Sequence, residues 1–439
     1  VTRGALGNEP DTYLPGHGDR GFSVERYDLD LDYRVDGNHL TGRAHILVTT
    51  NDRVDTLTFD FASLRVQKVT VDGRRPARYV HRASKLRITL GTEAPAGTEL
   101  RVEVHYAGSP RPINGTWGEV GWEELTDGVI VAGQPNGAPS WFPCNDRPDD
   151  KASYTITLTT DSAYHVVSNG TLAERHVHAS RTTWIHDQPE PMASYLATVQ
   201  IGRYRPVTVA SSPVPQYAAI PPRLRQNFEI DFGRQPEMMT LFEELFGQYP
   251  FRSYGIVVTD DPLEIPLEAQ GLSVFGANHV DGRRTYERLV AHELSHQWFG
   301  NCLTVGRWQD VWLHEGFACY AEWLWSERSG GPSADDQARA AWRRLRSLRQ
   351  DLVIADPGPE RMFDDRLYKR GALTLHALRH LLGDDRFFDA LRSWVAGHRY
   401  ASVSTEGFTD FMARTDAGAV AVLDAWLHAP RLPAFPGTP

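Results

Sequence analysis

The stretch that decides the fold is residues 285–299, TYERLVAHELSHQWF, read together with WLHEGFA at 312–318. Nothing in residues 285–291 breaks a helix, and Gly300-Asn301 offers a stop after Phe299, so the stretch predicts a helix. On a helix, positions four apart are offset by only about 40°, which stacks the imidazoles of His292 and His296 on one face. Two nitrogen donors then converge on one point. Glu293, beside the first of them, has the length to take a proton from water next to a cation without being a ligand itself. Zinc in a catalytic site takes three protein ligands and keeps one position open, so a third donor is required. Residues 310–328 read as a second helix, with Leu313, Phe317, Tyr320 and Leu324 at helical spacing and Ser329-Gly330-Gly331 after it. Glu315 on that helix is the donor chosen. Glu322, seven residues on and on the same face, is either a partner of a ligand imidazole or a solvated carboxylate. A site built on a third histidine six residues after His296 is excluded, because that position is Cys302 and the glycine expected three residues before it is Phe299.

Outward from the two helices, the chain changes character near residue 205. Residues 22–204 alternate short strand patterns with turn signals, as in YDLDLDY at 27–33, AHILV at 44–48, LRVEV at 100–104 and YTITL at 154–158. This predicts an antiparallel all-β domain over 1–205. His45, His105, His165, His176, His178 and His186 fall there without ligand spacing and read as strand or surface histidines. A Pro-rich stretch at 205–222 reads as the transition to a mainly helical domain over 206–439. Helices are predicted at 238–246, 334–352, 371–382, 385–395 and 420–428, besides the two already described.

The 439 residues are 41% hydrophobic and 23% charged, the composition of a globular protein with real cores. No stretch approaches the roughly 18 consecutive apolar residues of a membrane span, so no membrane is expected. The net charge of −10 argues against nucleic acid as a partner. Three cysteines, Cys144, Cys302 and Cys319, are too few for a disulfide framework. The first residues show no apolar leader segment, so the cytoplasm is the expected compartment, with a removed segment left open because the sequence begins at Val1.

The block VAHELSHQWFGNCLT at 290–304 resembles the zinc-helix block of the aminopeptidase N family of zinc metallopeptidases, gluzincins that include leukotriene hydrolase. WLHEGFA resembles that family's W-L-N-E-G-F-A, with His314 in place of the asparagine. The resemblance implies a thermolysin-like catalytic domain, one zinc per chain held by His292, His296 and Glu315, and Glu293 as general base. LYKRGA at 367–372 is similar to the segment whose tyrosine donates a hydrogen bond to the developing oxyanion, a role that falls to Tyr368. A tyrosine hydroxyl beside a Lys-Arg pair is also, on its own chemistry, a suitable donor to an anionic intermediate. IPLEAQGL at 265–272 aligns with the family's G-x-M-E-N motif, of which the glutamate and its apolar neighbour survive. The resemblance gives Glu268 the substrate's free α-amine, the contact that makes such an enzyme an exopeptidase. QPNGAPSWFPCNDRPDDKA at 134–152 resembles the block ending F-P-C-x-D-x-P-x-x-K-A, implying Gln134 as a second contact to the amine and Asn136 as a neighbouring substrate residue.

The implied reaction is zinc-dependent hydrolysis of the N-terminal peptide bond, with peptides carrying a free N-terminus as substrates and the oligomeric state left open. Two alternatives remain. One is a zinc endopeptidase on the thermolysin plan, favoured if the altered motif around Glu268 no longer reads the amine. The other is a non-catalytic binding or scaffold protein on the same fold, which would need neither the ligands nor the base nor the tyrosine. Members of the family continue into a helical domain that closes over the site. The chain reads as a short form without it, which implies a more open cleft or a second subunit over it.

Overall fold

The computed structural model describes residues 11–437. The chain forms two compact units, one built from Gly16–Arg225 and Phe251–Asn278, the other from the remaining described residues.

The first unit is the β part. Its main sheet has seven strands in the order Thr171–His178, Arg181–Met192, Ala152–Asp161, Phe22–Arg34, His39–Thr50, Glu99–Gly108 and Arg65–Val71. The period-two pattern works as expected: Tyr27, Leu29, Leu31 and Tyr33 are buried, while the intervening Asp28, Asp30 and Asp32 face outward. The sheet departs from a wholly antiparallel plan at one pairing, where Phe22–Arg34 runs parallel to Ala152–Asp161, with Leu29 opposite Ile156. Parallel neighbours need a long crossover, and residues 35–151 supply it, building His39–Thr50, Arg65–Val71 and Glu99–Gly108 of the same sheet on the way.

The same unit contains a mixed five-stranded sheet ordered Arg205–Ala210, Gln216–Ile220, Tyr254–Val258, Leu272–Phe275 and Leu267–Ala269. The Pro-rich stretch read as a transition thus forms strands. Pro206 is accommodated because its strand lies at the sheet edge, where a missing N–H costs no ladder bond. This sheet is joined to the β part by an apolar cluster in which Ile130, Val167 and Tyr204 pack with Ala219, Val257, Leu272 and Val274. Gln270 adds side-chain hydrogen bonds to the carbonyls of Glu190 and Pro191, at 3.2 and 3.3 Å.

The other unit is helical. We label Arg225–Asp231 α1, Gln235–Phe246 α2, Glu287–Ser295 α3, Trp312–Arg328 α4, Ala334–Arg346 α5, Asp365–Leu382 α6, Asp384–Gly397 α7, Thr405–Thr415 α8 and Gly418–Leu427 α9. Helix α5 stops short of the expected 352, and the carbonyl of Leu352 instead accepts a hydrogen bond from Arg370 Nη1 at 3.1 Å. Helix α6 begins six residues before the expected Gly371, because Asp364 caps it by accepting from the Arg366 N–H at 2.9 Å. Tyr368 therefore stands on a helix rather than in a loop. No helix among the described residues is long and apolar enough to cross a membrane.

Two glycines set the spacing of α4 and α6. A Cβ built on Gly371 would lie 2.7 Å from the Cα of Gly316, and one on Gly316 would lie 2.9 Å from the Cα of Gly371. The two helix backbones touch where each lacks a side chain, next to Glu315 on one and three residues from Tyr368 on the other. Gly371→Ala is expected to force the helices apart and destabilise the unit by about 1–3 kcal/mol, the usual cost of overpacking, as read by denaturant unfolding. An unchanged unfolding midpoint would show that the contact is not tight.

Candidate metal centre

Helix α3 ends at Ser295, and His296 is its C-cap, still in right-handed helical conformation at φ −57°, ψ −22°. His292 and His296 therefore keep the helical offset, their rings 4.8 Å apart between centroids and inclined at 76°. The end of α3 is fastened to α4 by aromatic packing, with the rings of Phe299 and Phe317 stacked at 4.1 Å. Trp298 Nε1 donates to the carbonyl of Gly247 at 2.9 Å and ties the same turn to the end of α2.

This brings Glu315 of α4 onto the histidine pair. Its Oε2 lies 3.4 Å from His292 Nε2 and 3.6 Å from His296 Nε2. Around a tetrahedral zinc with bonds of about 2.0–2.1 Å, ligand atoms stand roughly 3.3 Å apart, so both distances from Glu315 fit such an ion, and the three donor atoms all lie within 4.8 Å of one another. All three are buried, and Glu293 is buried beside them at 4% exposure.

The imidazoles are aimed by their other nitrogens. His292 Nδ1 donates to Glu322 Oε1 at 2.8 Å, and His296 Nδ1 donates to the carbonyl of Phe299 at 3.0 Å. With Nδ1 engaged on each ring, Nε2 is the nitrogen that faces Glu315. The second oxygen of Glu322 accepts from Arg288 Nη1 at 3.2 Å. Glu322 is thus the partner of the His292 imidazole and not a solvated carboxylate, a choice its sequence position alone left open. Burial pushes the His292 imidazole down, but its bonds to Glu315 and Glu322 outweigh this and raise it to about 10. Burial raises the Glu315 carboxyl, yet His296 and His292 hold it well below the ordinary range. Two buried carboxylates around two imidazoles call for a positive charge among them, and a divalent cation supplies it. Glu322→Ala is expected to weaken zinc binding by about 10–100-fold, measured by competition with a chromophoric chelator. Unchanged affinity would show that the Nδ1 contact does not support the ligand.

Tyr368 is half-buried, and its ring lies 6.2 Å from that of His292 and nearly parallel to it, at 13°. The neighbouring Lys-Arg pair does not assist it. Arg370 donates to the carbonyls of Trp426 at 2.8 Å, Pro430 at 2.9 Å and Ala429, binding the end of α9 and the chain beyond it. Lys369 Nζ lies 3.2 Å from Cys319 Sγ. Residues adjacent on a helix point about 100° apart, so adjacency in sequence did not mean a shared face. His314, which stands where the resemblance has asparagine, accepts a hydrogen bond at Nε2 from the Val305 N–H at 2.9 Å and so anchors the Thr304–Val305 strand to α4.

The remaining predicted residues belong to the β unit. Glu268 is half-buried on the edge strand Leu267–Ala269, opposite Ser273. Gln134 and Asn136 follow the Gly128–Ala132 strand, and Asn136 Nδ2 lies 3.5 Å from His17 Nε2. Gln134 Nε2 and Asn136 Oδ1 are buried without a hydrogen-bond partner among the described residues. Unused polar atoms of this kind suit a ligand contact.

Comparison with known proteins agrees with this geometry. The peptidase family M1 domain matches residues 230–426, and the peptidase M1 N-terminal domain matches residues 23–196. A leucyl aminopeptidase of Saccharolobus solfataricus is 22% identical over 94% of this chain and 54% of its own length. Endoplasmic reticulum aminopeptidase 1 of Homo sapiens is 25% identical over 92% of this chain and 46% of its own. The chain thus spans about half the length of these curated relatives. An M1 zinc metallopeptidase from Deinococcus radiodurans superposes with a TM-score of 0.89 at 29% identity, over 97% of this chain and 98% of that one. A mutant of the Deinococcus protein bound to a Tyr-Ser-Ala substrate superposes equally well, at a TM-score of 0.89 and 29% identity over 97% and 98% of the two chains. With both M1 domains matched in order and the donor set assembled between α3 and α4, the chain belongs to peptidase family M1.

Proposed function

We propose that this chain is a zinc aminopeptidase that hydrolyses the N-terminal peptide bond of peptides. The observation that carries the proposal is the buried donor triangle of His292, His296 and Glu315 with Glu293 beside it. Zinc is the cofactor, and when bound it lowers the pKa of water to about 7 and polarises a carbonyl. Glu293 takes the proton from the attacking water and hands it to the leaving amine. Tyr368 donates its hydroxyl to the oxygen on which negative charge develops. Glu268 supplies the negative charge for the substrate's α-amine, Gln134 accepts a second hydrogen bond from it, and Asn136 lines the same place. These assignments are supported by the motif resemblance and, for Asn136, by its unused acceptor Oδ1.

The functional division we adopt is an N-terminal β domain and a catalytic domain meeting near residue 205, supported by matches that end at 196 and resume at 230. The substrates are peptides with a free N-terminus, supported by the tripeptide seen on the Deinococcus neighbour. Neither nucleic acid nor membrane is a partner in this reading. The compartment we adopt is the cytoplasm, supported by three buried cysteines that are all free thiols. The test is to block the substrate amine. Hydrolysis of aminoacyl amides is expected to cease on N-acetylation, and equal turnover of blocked and free substrates would favour the endopeptidase alternative.

A further inference from the structure

Away from this centre, a second set of imidazole and carboxylate donors converges within the helical unit: Asp335 at the start of α5, with His376 and His380 on α6. We propose that these three side chains hold a second divalent transition-metal ion of the zinc class, separate from the catalytic ion and binding α5 to α6.

The geometry repeats that of the first site. His376 and His380 stand four apart on one helix, as His292 and His296 do, with ring centroids 4.7 Å apart and planes at 75°, against 4.8 Å and 76° for the first pair. As with Glu315, the carboxylate arrives from another helix. His376 Nε2 and His380 Nε2 are 3.2 Å apart, and Asp335 Oδ1 lies 3.4 Å from the former and 3.3 Å from the latter. These three edges agree with the roughly 3.3 Å that separates ligand atoms around a tetrahedral zinc.

Hydrogen bonding alone does not complete this triangle. A proton on one Nε2 directed at the other leaves a lone pair of the second imidazole against the carboxylate oxygen. Protons on both, directed at Asp335, set two N–H groups against each other across 3.2 Å. A cation at the centre satisfies all three atoms at once. The outer contacts also point the donors inward. His376 Nδ1 is in contact with the buried Tyr320 hydroxyl at 3.3 Å, which leaves Nε2 for the triangle. Asp335 Oδ2 accepts from Arg339 Nε at 2.6 Å, which leaves Oδ1 for it.

His376 is buried at 3% side-chain exposure, whereas His380 and Asp335 are 37% and 39% exposed, so the group has a fixed inner wall and an open outer side for entry. Two imidazoles and one carboxylate favour zinc, nickel or copper over magnesium or calcium, which prefer all-oxygen shells. Loading would brace α6, the helix that carries Tyr368.

The test is metal content and thermal unfolding of the full chain after dialysis against buffered zinc. Wild type is expected to hold about two zinc ions per chain, and His380→Ala and Asp335→Asn about one each, with peptide hydrolysis retained. His296→Ala is expected to keep about one zinc while losing hydrolysis, and zinc is expected to raise its melting temperature. One zinc per wild-type chain, lost in His296→Ala and kept in His380→Ala, would overturn the second site and leave the catalytic reading intact.

Discussion

Replacing Glu293 with glutamine is expected to lower the turnover of N-terminal hydrolysis by about 10²–10⁴-fold, the usual worth of a positioned general base. Zinc content and melting temperature are expected to stay at wild-type values. Glutamine has the shape of glutamate and fills the same buried position, but it cannot hold the proton released by the attacking water. Because Glu293 follows His292 directly on α3, its Cα is fixed by the helix that carries His292. The kinetic defect should therefore appear in kcat with little change in KM, since the group acts in the chemical step and not in holding the ground state. Steady-state kinetics on a free aminoacyl amide, with zinc measured on the same sample, separates this from metal loss. Turnover within about threefold of wild type would remove Glu293 from the mechanism.

The second large effect is expected from Tyr368→Phe, which should reduce kcat by about 10²–10³-fold, or about 2.7–4 kcal/mol of transition-state stabilisation. The substitution deletes one hydroxyl and keeps the ring beside His292. Neither adjacent cation is placed to take over, because Arg370 is engaged with the carbonyls around the end of α9 and Lys369 lies against Cys319. An interaction made with developing charge lowers kcat and kcat/KM together, whereas one made equally with substrate raises KM alone. A raised KM at unchanged kcat would make Tyr368 a binding residue instead.

What could be read in the sequence follows the range of the physical signal. His292, Glu293 and His296 were legible because the 3.6-residue period alone decides that they share a face. Glu315 comes from another helix, and helical periodicity does not say which helices touch. The WLHEGFA motif, and not the periodicity, made it convincing. Glu322 was left undecided for the same reason: a spacing of seven gives its face but not that His292 would lie opposite. Tyr368 was expected to stand near two cations, which the helical rotation carries elsewhere, although its ring does lie beside that of His292. The Gly316–Gly371 contact and the triangle of Asp335, His376 and His380 were not read at all, since each depends on a meeting of helices separated by about 40–55 residues. In the β unit, alternation at period two found the long strands. The sheet beginning at residue 205 was hidden by prolines tolerated at its edge and in its turns.

The most direct test of the account is time-resolved mass spectrometry of one peptide, offered with a free and with an acetylated N-terminus, to zinc-loaded and metal-stripped protein. The account predicts a ladder that loses one residue at a time from the free peptide, no cleavage of the acetylated one, and no cleavage by stripped protein until zinc is restored. Internal fragments appearing equally from both peptides would contradict it.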